Sequence, residues 1–588
     1  MLDPRLYRVA FVPVLLALLV AAFSLQDRPR AVGTTLVPDA FDGVRAQQTL
    51  DDLVARYERR RPGSATDDAM ASEVARRLRA VVPGTVEQHR YQADTIDGRR
   101  TLVDVVATRP GAPGPPLVVV AHRDAAGPGA RAELSATAAL IELATIAADG
   151  RLRRTITFIS TSGGSGGFAG AREEARRLGG RADAVLVLGA VGATGRRRPF
   201  VVGWSDGVGQ APLQLLRTVQ NAVRAEVGTD PGGPRAVTQW LRMAVPVTVG
   251  EQGAFLRAGQ PAVLLSATGE RAPAARAPVS RERLSAFGRS ALRVLYALDD
   301  FRDAAQPPRA DLVIRGKVLP EWAVRLLVGT LLLPVLVAGV DALARTRRRN
   351  EPVLRWAAWT LSAAVPFLMA CVFAVLLALV GLIAVAPGGP IPAVALRLGA
   401  GPAGALAAIV LVFVLGWVLT RPALLRVVAG GGHPDTPGAG IAVGLVTWAV
   451  VAGLWLANPY AAALAVPALH LWLWTSSPDL RLPRPAGLAL VLAALLPVLL
   501  VGLADGRAFG LDVPHSVWFW TILVAGGHVP IGSWVLWSLF WGCAVSAALV
   551  AVRKRRPRDE GPQDVTVRGP VSYAGPGSLG GTESALRR

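Results

Sequence analysis

The apolar residues of this chain are gathered into blocks, and the blocks dictate its architecture. One run occupies residues 9–23 and a dense series fills 322–552, whereas 36–311 has the mixed composition of an ordinary globular domain. A helix needs about 20 apolar residues to cross the hydrocarbon core of a bilayer. With 588 residues, 52% of them hydrophobic, the chain is too long and too apolar for a single soluble domain. The pattern predicts an N-terminal anchor (1–29), an extracytoplasmic domain (30–315) and a membrane domain of about seven helices (316–552). A cytoplasmic tail (553–588), charged and then rich in Gly, Ser and Pro, is expected to be disordered.

Eight crossings are expected: the anchor, then 322–344, 356–386, 402–420, 440–457, 459–475, 486–504 and 529–552. The anchor run has no small-x-small cleavage site after it, so it reads as an uncleaved signal anchor. The net charge of +21 comes almost wholly from arginine, the only lysines being Lys317 and Lys554. The clusters Arg5 with Arg8, Arg345 with 347–349 and Arg355, Arg421 with Arg426, Arg481 with Arg484, and 553–556 all sit at segment ends. The eight-crossing topology puts every cluster and both termini on one side, the cytoplasmic one under the positive-inside bias. The polar domain and the loops 387–401, 458–459 and 505–516 then lie on the other. Segment 517–527 is too short to cross and is expected to be re-entrant or interfacial. The lipid bilayer is thus the expected partner; no recognition motif for nucleic acid accompanies the charge.

Few chemical groups enter the apolar half. Asp341 has arginine neighbours with which to pair. His470 lies inside a crossing, where an ionisable group is a functional hypothesis by default, though a hydrogen bond to a neighbouring helix accounts for it equally. There is no acidic relay and no internal repeat to argue for a transporter. The two cysteines, Cys371 and Cys543, both fall in apolar segments, so the polar domain has neither a disulfide framework nor a thiolate metal site.

Within 30–315, strands are expected at 101–108, 116–121, 154–160, 184–189, 200–203 and 262–266, and helices at 133–148, 168–178, 211–225 and 280–298. Unbroken Val/Leu runs imply strands covered on both faces, hence an α/β sheet. Chemistry in such sheets gathers at the carboxyl ends of strands. His122 and Asp124 follow one strand, Gly163 and Gly164 another, and Gly189 ends a third, so three loops converge on one rim.

Between "RRPGS" (60–64) and "GAFLRAGQPAVLL" (253–265) the domain resembles the M28 family of zinc-dependent aminopeptidases over some 200 residues in order. The resemblance implies an M28 peptidase-like sheet covered by helices; the all-α polytopic membrane domain beside it is read from the apolar runs alone. It also implies a site holding two zinc ions through about five protein ligands and a base. The family's H-x-D motif is present as His122-Arg123-Asp124. The segment that should carry its bridging acid reads "GARAELSA" (129–136), with Arg131 and Ala132 in those places. The family's Glu pair falls on Gly163 and Gly164, its next Asp on Gly189, and its final His on a stretch, 266–276, that has none. His89 and His122 are the only histidines before residue 315. Glu133 and Glu251 are left to line the vestigial pocket, and Arg131 is expected to pair with Asp124 where the metal would be. No metal ligation and no catalytic residue is therefore expected, His122 being the one surviving ligand candidate.

Plainer readings stand beside these. His122 and Asp124 form a hydrogen-bonded pair closing a strand end if no metal is held. The "TSGGSGG" loop (161–167) lacks a P-loop lysine and reads as a turn into a helix, with anion binding at that helix N-terminus as its functional alternative. Ser162 and Ser165 lack G-x-S-x-G and an evident base. The function this supports is a pseudopeptidase-like module that binds peptides or envelope and membrane proteins without cofactor. The alternatives are an active M28 metallo-aminopeptidase with an atypical zinc site, and a transporter carrying a regulatory cap.

Overall fold

Residues 117–121 are fully buried, as strands sandwiched between helices must be. They belong to a seven-stranded sheet: β1 (Thr85–Thr95), β2 (Gly98–Arg109), β3 (Ala112–His122), β4 (Arg154–Thr161), β5 (Ala184–Leu188), β6 (Val201–Val202) and β7 (Ala262–Leu265). The order is β1-β2-β4-β3-β5-β7-β6. Strands β4, β3, β5 and β7 run parallel, and β1, β2 and β6 are antiparallel to their neighbours. This computed structural model describes residues 4–149, 151–195, 197–207, 209–233, 235–301, 306–385, 396, 398–428, 437–476 and 482–553. The tail expected at 553–588 lies outside them but for Arg553, as do most of loop 387–401 and Arg481.

All six expected strands form, with ends shifted by a few residues. Strand β1 was not expected: its residues alternate between exposed and half-buried, and "TVEQHRYQADT" carries too little apolar signal at an edge. The helices are α1 (Gly43–Arg56), α2 (Ala65–Val81), α3 (Arg131–Ala148), α4 (Ala169–Leu178), α5 (Leu213–Val227), α6 (Ala236–Ala244), α7 (Gln252–Arg257) and α8 (Arg281–Asp300). Side-chain caps start three of them: the Asp42 carboxylate accepts from Val44 and Arg45 amides, Ser64 from Asp67, and Ser280 from Arg283. Helix α3 is apolar nearly all round and buried from Leu134 to Ala144, its alanines letting it lie close against β3.

Six helices among the described residues are long and apolar enough to cross a membrane: Arg5–Phe23, Glu321–Arg347, Val353–Leu379, Ala400–Val427, Gly438–Ala457 and Ile531–Val552. A seventh crossing is possible if Arg484–Ala494 and Leu496–Phe509, bent by 44° at their junction, act as one span. Of the eight expected crossings, 486–504 stands only as that bent pair, and 459–475 is not among the six. It is helical (Pro459–Ser476), but Pro467 and His470 interrupt its apolar run. Segment 517–527 lies mostly in a 13-residue helix, Val513–Ala525, about 20 Å long at 1.5 Å per residue and too short for the ~30 Å core.

The two halves are tied together where the chain passes between them. Gln26–Asp27 pairs with Lys317–Leu319, which pairs in turn with Leu312–Ile314. The chain therefore enters and leaves the polar domain through one small sheet. Trp240 Nε1 of α6 donates to the Tyr460 carbonyl at 3.1 Å, and Asn458 Nδ2 donates to the Met243 carbonyl at 2.8 Å. The turns expected to share a side with the polar domain, at 458–459 and 505–516, do contact it. His470 is held at both ring nitrogens, by Tyr7 Oη at 2.7 Å and the Leu331 carbonyl at 3.1 Å. Asp341 pairs with Arg345 at 2.9 Å. Both groups thus have structural partners.

Candidate functional site

The carboxyl ends of β3, β4, β5 and β7 surround a cavity of about 70 Å³. Its walls include His122, Glu133, Gly164, Ser165, Gly189 and Glu251, with Glu270 and Arg271 from the loop after β7. The convergence expected of three loops is present, and a fourth loop joins them.

The H-x-D tripeptide sends its side chains three ways. His122 faces the cavity with Nδ1 3.6 Å from Glu251 Oε2. Glu251 Oε1 accepts from Thr161 Oγ1 at 2.7 Å. Burial alone would keep the imidazole neutral, but Glu251, with Asp124 and Glu133 behind it, outweighs burial and raises its pKa to about 9. Arg123 turns inward to a fully buried ion pair with Asp67, Nε to Oδ1 2.9 Å. Asp124 turns toward the glycine-rich loop. Its Oδ1 accepts from Gly164 N at 2.9 Å, and its Oδ2 accepts from Ser165 N at 3.0 Å and from Ser165 Oγ. The loop's amides therefore hold an anion, but it is the protein's own carboxylate. Neither an external-anion cradle nor a His122–Asp124 pair is formed.

Arg131 departs from expectation as well. It starts α3 on the outer surface and pairs with Asp51 of α1, is not among the cavity-lining residues, and leaves Asp124 to the loop. A residue in the first turn of a helix projects back over the preceding chain, which here carries Arg131 away from the rim. Glu133, two positions on, faces the cavity; burial raises its pKa, with Asp124 adding and His122 and Arg60 opposing. Ser162 Oγ donates to Asp67 Oδ2 at 2.5 Å, so both serines serve carboxylates.

The glycines expected at ligand positions are closed off. A Cβ on Gly164 would lie 2.3 Å from His122 Cβ, and one on Gly189 would lie 2.8 Å from Ser266 Cβ. Gly163 has φ +82°, and a Cβ there would sit 3.1 Å from Ala169 Cβ. Among the described residues no three His, Cys, Asp or Glu side chains are grouped to hold a metal ion. The donors at hand are an imidazole tied to Glu251, an Asp124 carboxylate filled by hydrogen bonds, and Glu133. That set does not fit a co-catalytic zinc pair.

Residues the sequence reading passed over frame the site. Arg60, fully buried, donates to the carbonyls of Arg123 at 2.7 Å, Gly129 at 2.8 Å and Ala130 at 2.9 Å. It thereby clamps the loop from His122 to Glu133. The "RRPGS" string was the available signal, although a guanidinium binding carbonyls leaves no pattern at the partner positions. Glu270 pairs with Arg242 at 2.5 Å and accepts from Thr248 Oγ1 at 2.5 Å.

Residues 104–239 match the family model for Peptidase family M28. The polar half of the chain thus contains an M28 peptidase-like domain at 104–239, and is followed by a helical region with membrane-length apolar helices. Similar solved structures include an Acidobacteriales bacterium glutaminyl cyclase, at 16% identity and TM-score 0.35, covering 45% of this chain and 98% of that one. A Zn-dependent exopeptidase from Parabacteroides distasonis shows 15% identity and TM-score 0.32, over 44% and 98% of the two chains. The zinc aminopeptidase BSAP from Bacillus subtilis shows 11% identity and TM-score 0.34, over 45% and 98%. No curated protein matches the chain.

Proposed function

We propose that this chain is a multi-pass membrane protein whose M28-like domain holds peptides, or segments of envelope or membrane proteins, without cleaving them. In this reading the polar domain is extracytoplasmic and both termini are cytoplasmic. The positive-inside arrangement of the arginine clusters and the contacts of 458–459 and 505–516 with the polar domain support that placement. The observation that carries the non-catalytic reading is the filling of the ligand positions: His122 occupies the space before Gly164, and Ser266 the space before Gly189. What the cleft retains is a mostly apolar cavity with carboxylates in its wall, suited to a chain end bearing hydrogen-bond donors. No cofactor is required.

The test is zinc content and peptide binding on the purified full-length protein. After zinc loading and dialysis, mass spectrometry is expected to find less than about a tenth of an equivalent retained, against the one or two equivalents of a working site. Calorimetry with a tripeptide amide bearing a free amino terminus is expected to show binding, weakened in Glu133→Gln, with no hydrolysis on prolonged incubation. Stoichiometric zinc that disappears in His122→Ala would instead establish the second reading, a metallo-aminopeptidase with an atypical site. That reading is favoured by one observation, that His122, Glu133 and Glu251 all line the same cavity.

A further inference from the structure

The wall of this cavity is also the seat of the membrane half. Glu270 and Arg271 are adjacent and both line it. Arg271 Nε donates to the Ala508 carbonyl at 3.0 Å and its Nη2 to that of Arg507. These are among the last carbonyls of Leu496–Phe509, which leaves the helix through Gly510 at φ +75°. A guanidinium at a helix C-terminus satisfies carbonyls that have no intrahelical partner and complements the helix dipole. Glu270 reaches the same helix through Arg242, whose Cζ stands 4.6 Å from the Phe509 ring centroid.

A continuous chain of contacts runs back from there to the cavity floor. Thr248 Oγ1 donates to Glu270, and Gln252 Nε2 donates to Thr248 Oγ1 at 2.8 Å. Gln252 is the immediate neighbour of Glu251, the carboxylate beside His122. Gln252, Thr248, Glu270 and Arg242 are all buried or nearly so, so solvent does not decouple them. On the membrane side, Asp505 is buried one turn before Phe509, with Arg242 and Glu270 as its charged neighbours. Its Oδ2 has no hydrogen-bond partner among the described residues. The helix receiving these contacts is the one bent by 44° from Arg484–Ala494, and Pro497, just past the junction, removes a backbone donor at the bend.

We infer that the polar domain's cavity is a regulatory site for the membrane half: filling it shifts the loop of Glu270 and Arg271 and so repositions the bent helix Leu496–Phe509. The inference rests on reading the cavity as a ligand-holding site, and it assigns that site a consequence across the domain boundary. Coupling of this kind is reciprocal, so a change at Phe509 must be felt in the cavity.

Hydrogen exchange followed by mass spectrometry on the full-length protein in lipid nanodiscs tests it without any ligand. Ala126→Phe fills the cavity from the loop after β3 and is expected to change exchange across 496–510 by roughly fivefold or more, the lower end of ordinary coupling. Adding Glu270→Gln is expected to erase that change. Phe509→Leu, a mild substitution on the membrane side, is expected to alter exchange in 248–252 and 266–273. The inference is overturned if Ala126→Phe perturbs only the cavity loops, if Glu270→Gln leaves the distant change intact, or if Phe509→Leu leaves the cavity segments untouched. A failure to bind peptide would count against the ligand-holding reading alone, because this measurement adds none.

Discussion

His122 sits in the cavity beside Glu251, while the Asp124 of its own tripeptide turns to the glycine-rich loop. Its imidazole is held protonated by Glu251, with a pKa of about 9 against an ordinary 6.5. A raised histidine pKa contributes stability that is complete below about pH 6.5 and is lost as pH rises through about 9. Thermal unfolding of the protein is therefore expected to fall in midpoint between those values, and Glu251→Gln is expected to flatten that dependence; an unchanged slope would mean the pair is not ionised. The glycines offer a sharper test of whether acidic side chains can be accommodated at these positions. Gly164→Glu forces a side chain into His122, and overpacking of this kind costs about 1–3 kcal/mol. Gly189→Asp collides with Ser266 and is expected to be rescued in part by Ser266→Gly, as seen by chemical denaturation. Neither is expected to bring zinc with it.

At the level of elements, the sheet sets the rim and buried arginines hold it. Arg60 spans three carbonyls of the loop after β3, and Arg123 locks α2 to the sheet through Asp67. Removing one partner of a buried ion pair strands the other charge, at about 3–5 kcal/mol. Asp67→Ala is expected to cost that much in urea unfolding, whereas the apolar double replacement Asp67→Leu with Arg123→Met is expected to recover most of it. If the single and double variants were equally unstable, the pair would not be what binds α2. The expected strands lay close to their observed positions because continuous Val/Leu runs report burial on both faces. Strand β1 and helices α1, α2, α6 and α7 were not foreseen: α7 is only six residues long, and the amphipathic or polar surfaces of the others are given meaning only by the neighbours they meet.

Across the whole molecule, the joint between halves is short and specific: one three-stranded sheet, the Trp240–Tyr460 and Asn458–Met243 contacts, and Arg271 on the end of a bent helix. The proposed sidedness is checked by single cysteines in a background lacking Cys371 and Cys543. A cysteine at Lys317 is expected to react with an impermeant maleimide on intact cells, and one at Arg349 only after lysis. Labelling in the reverse order would invert the topology and place the polar domain inside.

The sequence by itself determined that the chain has a polar α/β half and an apolar helical half, since burial in protein or lipid selects runs of residues that can be read directly. It also shows that Gly163, Gly164 and Gly189 bring no donor to the positions the M28 resemblance implies, because an absent carboxylate needs no geometry to detect. Where the remaining groups point was decided only in three dimensions. Arg131 was expected to face Asp124 and instead meets Asp51; Asp124 was expected beside His122 or Arg131 and instead fills the "TSGGSGG" amides; Glu251, some 130 residues along, takes the histidine. Side-chain direction at a strand end or a helix start follows from backbone turns and from which partner arrives first in space, and neither is written in local spacing. The coupling of Glu270 and Arg271 to residues 507–509 is of the same kind, created by two distant segments packing on one surface.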